Sequence, residues 1–200
     1  VLAALSILVG NLTALAQRHV RRLLAYPAVA HAGYTLLGLV AGRHEGFSAT
    51  LFYTTIYAVT LLGAFGVVGL VKRETGGDDL ADFAGLRARS PLLAGCMAVF
   101  VLSLAGLPPL SGFFGKFYLF SAALHAGSAH GLLWLVVVAL FGSLISLYYY
   151  LIILKAIFLY ESNTGSFRLR VEFLQRLSLL VLAGIVLLLG TFPVLLLGRF

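Results

Sequence analysis

Charged residues are scarce in this sequence of 200 residues: they make up 10% of it, against about 25% in a soluble domain. A single cysteine, Cys96, excludes an internal disulfide and a cysteine-ligated metal cluster. The sequence contains no Walker loop, dinucleotide fingerprint, zinc-ligand spacing or nucleophile elbow. We therefore expect no covalent chemistry, no cofactor and no metal on this chain. The net charge of +7 does not indicate nucleic acid as a partner, because the basic residues stand between apolar runs.

Apolar residues dominate the rest: they make up 61% of the chain, and its mean hydropathy is +1.04. Most of this surplus must face lipid, because one core could not bury it. The apolar runs are continuous rather than alternating, which favours helices over a β-barrel. The predicted fold class is all-α, a polytopic transmembrane helical bundle with six spans: 1–16, 20–41, 48–71, 91–124, 131–154 and 174–197. Because Val1 already lies in an apolar run, we expect this sequence to be the interior of a longer chain.

Charged residues cluster in the connections between spans, and the basic ones favour one side of the membrane. The other side carries Arg43 and Arg199. Eleven of the 14 basic residues lie in the first, third and fifth connections: Arg18, Arg21, Arg22, Lys72, Arg73, Arg87, Arg89, Lys155, Arg168, Arg170 and Arg176. The positive-inside rule makes this side, which we call the basic side, cytoplasmic. Both ends of the chain are then outside.

The fourth span contains a break. As one straight helix, residues 91–124 would be about 51 Å long, which exceeds a bilayer core of about 30 Å. Between Gly106 and Gly112, two prolines remove backbone donors and the glycines allow unusual dihedral angles. We predict two half-helices, 91–105 and 113–124, joined by an extended linker at membrane depth, as at transporter ion sites. A proline kink bridged by neighbouring helices is the alternative.

One lysine and one histidine lie at membrane depth. Lys116 is the one charged residue of the fourth span. A lysine there costs at least ~2.5 kcal/mol on insertion scales and normally faces protein or water. We predict that Lys116 handles protons; snorkelling to an interface is the alternative. His31 titrates near neutrality and is predicted to join a proton relay, although a hydrogen-bonded interhelical histidine fits the sequence equally well.

Other residues in the spans suggest structural roles. Pro27 predicts a kink in the second span. The run Tyr148–Tyr150 is predicted to lie in an interfacial aromatic belt. Ser143 and Ser146 are predicted to allow close packing of helices.

Six motifs resemble one family of membrane subunits. They are Gly10–Leu12, Arg21–Tyr26, Ala30–Tyr34, Leu62–Gly66, Gly77–Leu86 and Leu102–Tyr118, the last reading LSLAGLPPLSGFFGKFY. Over about residues 1–160 the chain is similar to the antiporter-like subunits, of the subunit N type, of bacterial NADH:quinone oxidoreductase (respiratory complex I). The last helix matches by position and hydropathy.

This resemblance implies a fold and a function. Residues 1–160 would form the second inverted five-helix repeat, with the broken helix at 91–124, and 161–200 a connecting segment and a terminal transmembrane helix. The protein would be a non-redox, proton-translocating subunit in the bacterial inner membrane, while other subunits carry electrons from NADH to quinone. Its partners would be lipid and other membrane-arm subunits, including a neighbouring antiporter-like subunit. A multisubunit cation/proton antiporter subunit and a packing element with an unused channel are the alternatives.

The resemblance also implies roles for single residues. Lys116 matches the lysine in the outward half of the family's proton path, and His31 matches a position on the hydrated axis between the two halves. Arg21, Pro108 and Tyr34 are further candidates for the proton path or for charge coupling. Arg21 stands where the family usually has lysine. Because arginine is effectively never neutral, it would act as a fixed charge rather than hand off a proton.

Overall fold

The structure, a computed structural model, describes residues 1–126, 132–161 and 171–193. Within these ranges the regular elements are helices, and one isolated β-bridge pairs His19 with Asp79. A short 3-10 helix spans Leu80–Phe83. The α-helices are α1 (Leu2–Leu15), α2 (Val20–Ala25), α3 (Pro27–Ala41), α4 (Arg43–Thr75), α5 (Leu86–Arg89), α6 (Pro91–Ala105), α7 (Ser111–His125), α8 (Leu133–Leu159) and α9 (Phe173–Thr191).

The prediction of an all-α membrane bundle is confirmed. Four segments are long and apolar enough to cross a membrane: α2 with α3 (Val20–Ala41), α4, α8 and α9. The apolar helices α1 and α6 are shorter, with 14 and 15 residues. Pro27 separates α2 from α3 as its first helical residue. Proline is tolerated there because the first N–H groups of a helix have no intrahelical partner.

Two helices extend beyond the predicted spans because charged residues do not end them. α4 was predicted at 48–71 but contains 33 residues. Glu45 lies in its first turn and Lys72 in its last, where the helix dipole favours those charges. α8 likewise continues through Lys155 to Leu159.

Some predictions fall on residues that the structure does not describe. They are the end of the sixth span at 194–197, residue 131 of the fifth span, and Arg168, Arg170 and Arg199.

The fourth span is divided as predicted, within two residues of the expected half-helices. The hydroxyl of Ser90 accepts a hydrogen bond from the backbone N–H of Leu93 (3.5 Å) at the start of α6. Gly106, with φ +83°, ends that helix in the left-handed conformation that glycine adopts without strain. The linker contains a cis peptide bond between Pro108 and Pro109. The two half-helices meet closely, because a Cβ on Gly112 would lie 1.8 Å from the carbonyl oxygen of Ser103.

Helix α9 covers the linker between the half-helices. A Cβ on Gly190 would lie 2.3 Å from the carbonyl oxygen of Pro109 and 2.7 Å from the backbone nitrogen of Ser111. Irregular backbone at membrane depth is tolerated where protein covers it. The terminal helix therefore provides protein cover for the break.

Candidate functional site

The side chain of Lys116 turns into the protein at the break. It is 4% exposed. Its Nζ donates to the carbonyl oxygens of Leu104 (3.1 Å) and Ala105 (3.2 Å) and to the hydroxyl of Ser143 (3.0 Å). This geometry excludes the snorkelling alternative.

The break in the helix creates the acceptors that Lys116 uses. The last carbonyl groups of a helix lack intrahelical partners and form the negative end of its dipole. Because α6 ends at Ala105, these carbonyls are available to a cation at membrane depth. Gly106 leaves room for the lysine, since a Cβ there would lie 3.1 Å from its Cδ and 3.3 Å from its Nζ.

The aromatic ring of Tyr34 forms a further wall of the Lys116 site. Its centroid lies 5.5 Å from the lysine Nζ, within the range of a cation–π interaction. Tyr34 is 1% exposed, and its hydroxyl donates to the carbonyl oxygen of Ala139 (3.3 Å). The ring can stabilise the charged form of the lysine without supplying a counter-charge.

His31 shares a cavity with Lys116 and packs against α4. Its Nδ1 is 2.6 Å from the hydroxyl of Tyr53, and its ring stacks on Tyr57 with 4.1 Å between centroids. His31 and Lys116 line one cavity of about 10 Å³, which is close to the smallest space that holds a water molecule. Tyr57 also lines this cavity, and its buried hydroxyl has no hydrogen-bond partner among the described residues. The cavity thus lies between the side chains of Lys116, His31 and Tyr57, and its accessible surface is apolar.

The structure brings together three of the five candidate residues from the sequence: Lys116, His31 and Tyr34. Pro108 lies exposed in the linker and acts on the site by interrupting the helix. Arg21 is exposed on α2 and is not among the described residues that line the cavity. The roles of all five residues stay predictions.

Arg21 instead contributes to the electrostatics of the third connection. A hydrogen bond from Lys72 holds the pKa of the Asp78 carboxyl below its usual value, and the charges of Lys72, His19 and Arg21 act in the same direction. Partial burial of Asp78 opposes this shift.

The sequence interpretation missed Ser143 as a residue of the site and misplaced two buried tyrosines. The belt prediction was wrong for Tyr149 and Tyr150, which are each 1% exposed, whereas Tyr148 is 63% exposed. Ser143, predicted to pack helices, binds Lys116. The sequence did contain a pattern that could have identified this polar face. Ser143, Ser146 and Tyr150 are spaced three and four residues apart, which places them on one face of α8.

The site contains no arrangement suited to a metal ion within the described ranges. No three His, Cys, Asp or Glu side chains converge across residues 1–126, 132–161 and 171–193. The expectation that this chain has no cofactor stays a prediction.

Comparisons with known proteins identify the family. The family model described as NADH:quinone oxidoreductase/Mrp antiporter, TM, matches residues 1–146. The chain is 51% identical, over 96% of its length, to NADH-quinone oxidoreductase subunit N 2 of Acidobacterium capsulatum, of which it covers 38%. It is 40% identical, over 96% of its length, to NADH-quinone oxidoreductase subunit N of Desulforamulus reducens, of which it covers 39%. The chain therefore spans about two fifths of the length of these relatives.

Two solved structures have a similar fold. A chain of respiratory complex I from Thermus thermophilus superposes with a TM-score of 0.79 at 37% identity, covering 98% of this chain and 43% of that one. A chain of the Mrp complex from Dietzia sp. superposes with a TM-score of 0.88 at 27% identity, covering 98% and 44%. These matches confirm the resemblance to subunit N, and the chain belongs to the NADH:quinone oxidoreductase/Mrp antiporter family of membrane subunits.

Proposed function

We propose that this chain forms the outward half of a proton path in a membrane-arm subunit of NADH:quinone oxidoreductase. The observation that carries the proposal is Lys116, buried at a helix break and bound by two carbonyl oxygens and one hydroxyl. An amine buried at membrane depth is costly, and ionisable residues that persist there usually have a function. The 51% identity to a subunit N supports assignment to the oxidoreductase.

In this proposal Lys116 alternates between its charged and neutral forms. The α6 carbonyls, Ser143 and the Tyr34 ring stabilise the ammonium form. Transfer of a proton between Lys116 and His31 would need a water molecule in the cavity that both side chains line. Changes of charge in neighbouring subunits would drive the alternation, while electrons pass from NADH to quinone elsewhere.

The proposed function implies an orientation of the chain in the membrane and a set of neighbouring subunits. The basic side faces the cytoplasm of a bacterial cell, and both ends of the chain lie outside its inner membrane. Residues 1–160 form the second five-helix repeat, and 161–200 form a connection and the terminal helix. The bundle has many exposed apolar side chains. They are covered by lipid and by other membrane-arm subunits, one of which is antiporter-like. Arg21 is a fixed charge near the first connection.

The test is Lys116→Ala in the complete subunit within its assembled complex. We expect proton pumping and coupled NADH:quinone turnover in inverted membrane vesicles to fall about tenfold or more, while assembly is retained. Lys116→Arg should also impair turnover, because arginine does not release its proton. Lys155→Ala is the matched control, since Lys155 is exposed near the basic end of α8. Full pumping by assembled Lys116→Ala complexes would contradict the proposal.

A cation/proton antiporter subunit of the multisubunit type is the second candidate. The observation that favours it is the TM-score of 0.88 with the Mrp chain, against 0.79 and 0.85 with two complex I chains. The lower identity to the Mrp chain, 27% against 37%, disfavours it. A sodium-dependent pH gradient in vesicles that contain the assembled protein and no NADH would support this candidate.

A further inference from the structure

A second polar cluster adjoins the Lys116 site through Tyr34. It consists of Asn11 on α1, Tyr34 on α3 and Tyr149 on α8, each no more than 1% exposed. Three polar side chains that converge from three helices are not needed for packing, because apolar residues of similar volume could fill the same space. Polar groups inside a membrane bundle are a reason to look for a function.

Asn11 occupies the centre of this cluster, and both ends of its amide have partners. Its Oδ1 accepts a hydrogen bond from the Tyr149 hydroxyl (2.9 Å), and its Nδ2 donates to the carbonyl oxygen of Ile7 (2.8 Å). Asn11 is completely buried. The carbonyl oxygen of Ile7 can only accept, so it fixes the position of Nδ2 and leaves Oδ1 to the Tyr149 hydroxyl.

The side chains of Asn11 and Tyr34 both lie against Gly142 of α8. A Cβ on Gly142 would lie 2.9 Å from the Asn11 Nδ2, 2.9 Å from the Tyr34 hydroxyl and 2.4 Å from the Cγ2 of Ile7. The amide and the hydroxyl therefore border the same point on α8. The next residue of α8, Ser143, binds Lys116 directly.

Tyr34 connects this cluster to Lys116. Its ring lies 5.5 Å from the lysine Nζ, while its hydroxyl end borders Gly142 and Asn11. A displacement of the hydroxyl end moves the ring over the ammonium group. The cluster also extends toward the basic side, since Tyr149 lies six residues, about 9 Å of helix rise, beyond Ser143 on α8.

We propose that Asn11 is a positioning residue for Lys116: it acts through Tyr34, and the hydrogen bond from Tyr149 holds its amide in place. The inference rests on the proposed function of Lys116. Asn11 and Tyr149 transfer no proton in it. They hold the Tyr34 ring over the ammonium group, so that the charged form of Lys116 is favoured during one part of the cycle.

The test uses Asn11→Leu and Tyr149→Phe in the complete subunit within its complex. Matched controls are Thr13→Val, whose hydroxyl bonds to backbone of its own helix, and Tyr148→Phe, whose side chain is exposed. We measure coupled NADH:quinone turnover in membrane vesicles from pH 6 to 9, normalised to the amount of assembled complex. Both test variants should lose about threefold or more of their turnover, and the alkaline limb of the profile should move to lower pH. The controls should keep the wild-type profile.

A substitution of Gly142 perturbs the same cluster from the side of α8. Gly142→Ala should push Asn11 and Tyr34 apart and reproduce the shifted profile. Gly184→Ala is its control, because a Cβ there meets nothing within 4 Å. A uniform loss of turnover at every pH would indicate a merely structural role and overturn the inference.

The outcomes separate this inference from the proposed function. If assembled Lys116→Ala complexes pump fully, the proposed function fails. If Lys116→Ala is inactive while Tyr149→Phe keeps the wild-type pH profile, the positioning role fails alone. Should Asn11→Leu not assemble, Tyr149→Phe decides, since it removes one hydroxyl and keeps the shape of the ring.

Discussion

The ammonium nitrogen of Lys116 lies 3.0 Å from the hydroxyl oxygen of Ser143, so the lysine bonds to α8 as well as to the end of α6. Its other two acceptors are backbone carbonyls, which no substitution removes. Ser143 is thus the acceptor through which the surroundings of Lys116 can be changed by mutation.

We expect Ser143→Ala to reduce coupled turnover about three- to tenfold, because one hydrogen bond to a buried charged group is lost. The loss should be larger at alkaline pH, where the ammonium form depends most on its acceptors. The measurement is NADH:quinone turnover against pH in vesicles with equal amounts of assembled complex. Ser178→Ala is the control, since Ser178 is exposed on α9 and bonds to its own helix. Unchanged turnover in Ser143→Ala would contradict a role for this contact.

Gly106 has two roles: it adopts a left-handed backbone conformation, and it leaves space for the side chain of Lys116. A pair of substitutions can separate them. Gly106→Ala adds backbone strain of about 1–2 kcal/mol at φ +83° and a Cβ 3.1 Å from the Lys116 side chain. Gly76→Ala adds similar strain at φ +81°, but its Cβ meets nothing within 4 Å. Both variants should lose similar thermal stability, and Gly106→Ala should lose several-fold more turnover per assembled complex. Equal turnover in the two variants would show that the contact with Lys116 is unimportant.

Asp78 should make the third connection sensitive to acid. Its pKa is lower in the folded protein than the usual value of about 3.9, chiefly because Lys72 Nζ donates to its Oδ2 (2.9 Å). Its carboxylate therefore stabilises the fold above about pH 4, and this contribution is lost as the pH falls through the folded-state pKa. The effect should be small, at most about fivefold in an opening equilibrium, because Lys72 is partly exposed.

Hydrogen exchange can measure this effect at two backbone amides. The N–H of Val20 donates to the carbonyl oxygen of Asp78 (2.8 Å), and the N–H of Leu80 donates to that of Arg18 (3.2 Å). After correction for intrinsic rates, both amides should lose protection between about pH 5 and 3 in the wild type. Asp78→Asn should be less protected at neutral pH and lack this pH dependence. Glu74→Gln, which alters a contact with Arg73 in the same connection, should keep the wild-type profile.

Local chemistry made the broken helix predictable. Pro108 and Pro109 cannot donate, and Gly106 allows the left-handed turn, so the bounds of α6 and α7 could be expected within two residues. Charge was a poorer guide to helix ends, because Glu45 and Lys72 fit the terminal turns of α4. Hydropathy predicted the apolar part of α4, at 48–71, but not the polar turns at its two ends.

The surroundings of Lys116 could not be predicted in the same way. Ser143 lies 27 residues away in the chain, and Tyr34 lies on a third helix. Their meeting depends on how α3, α7 and α8 pack. The run Tyr148–Tyr150 illustrates the limit: three identical residues divide into one exposed and two buried ones, because each step along a helix turns the side chain by about 100°.

The sequence by itself determined that the chain is a membrane bundle, that its fourth span is interrupted, and that a lysine lies beside the interruption. These features follow from hydropathy, from the missing N–H of proline and from the cost of charge in lipid, all of which are local. Only the tertiary structure decided that Lys116 bonds to α6 carbonyls and to Ser143, and that Asn11 and Tyr149 adjoin its site through Tyr34. Those contacts join residues far apart in the chain, and helix packing alone fixes their distances.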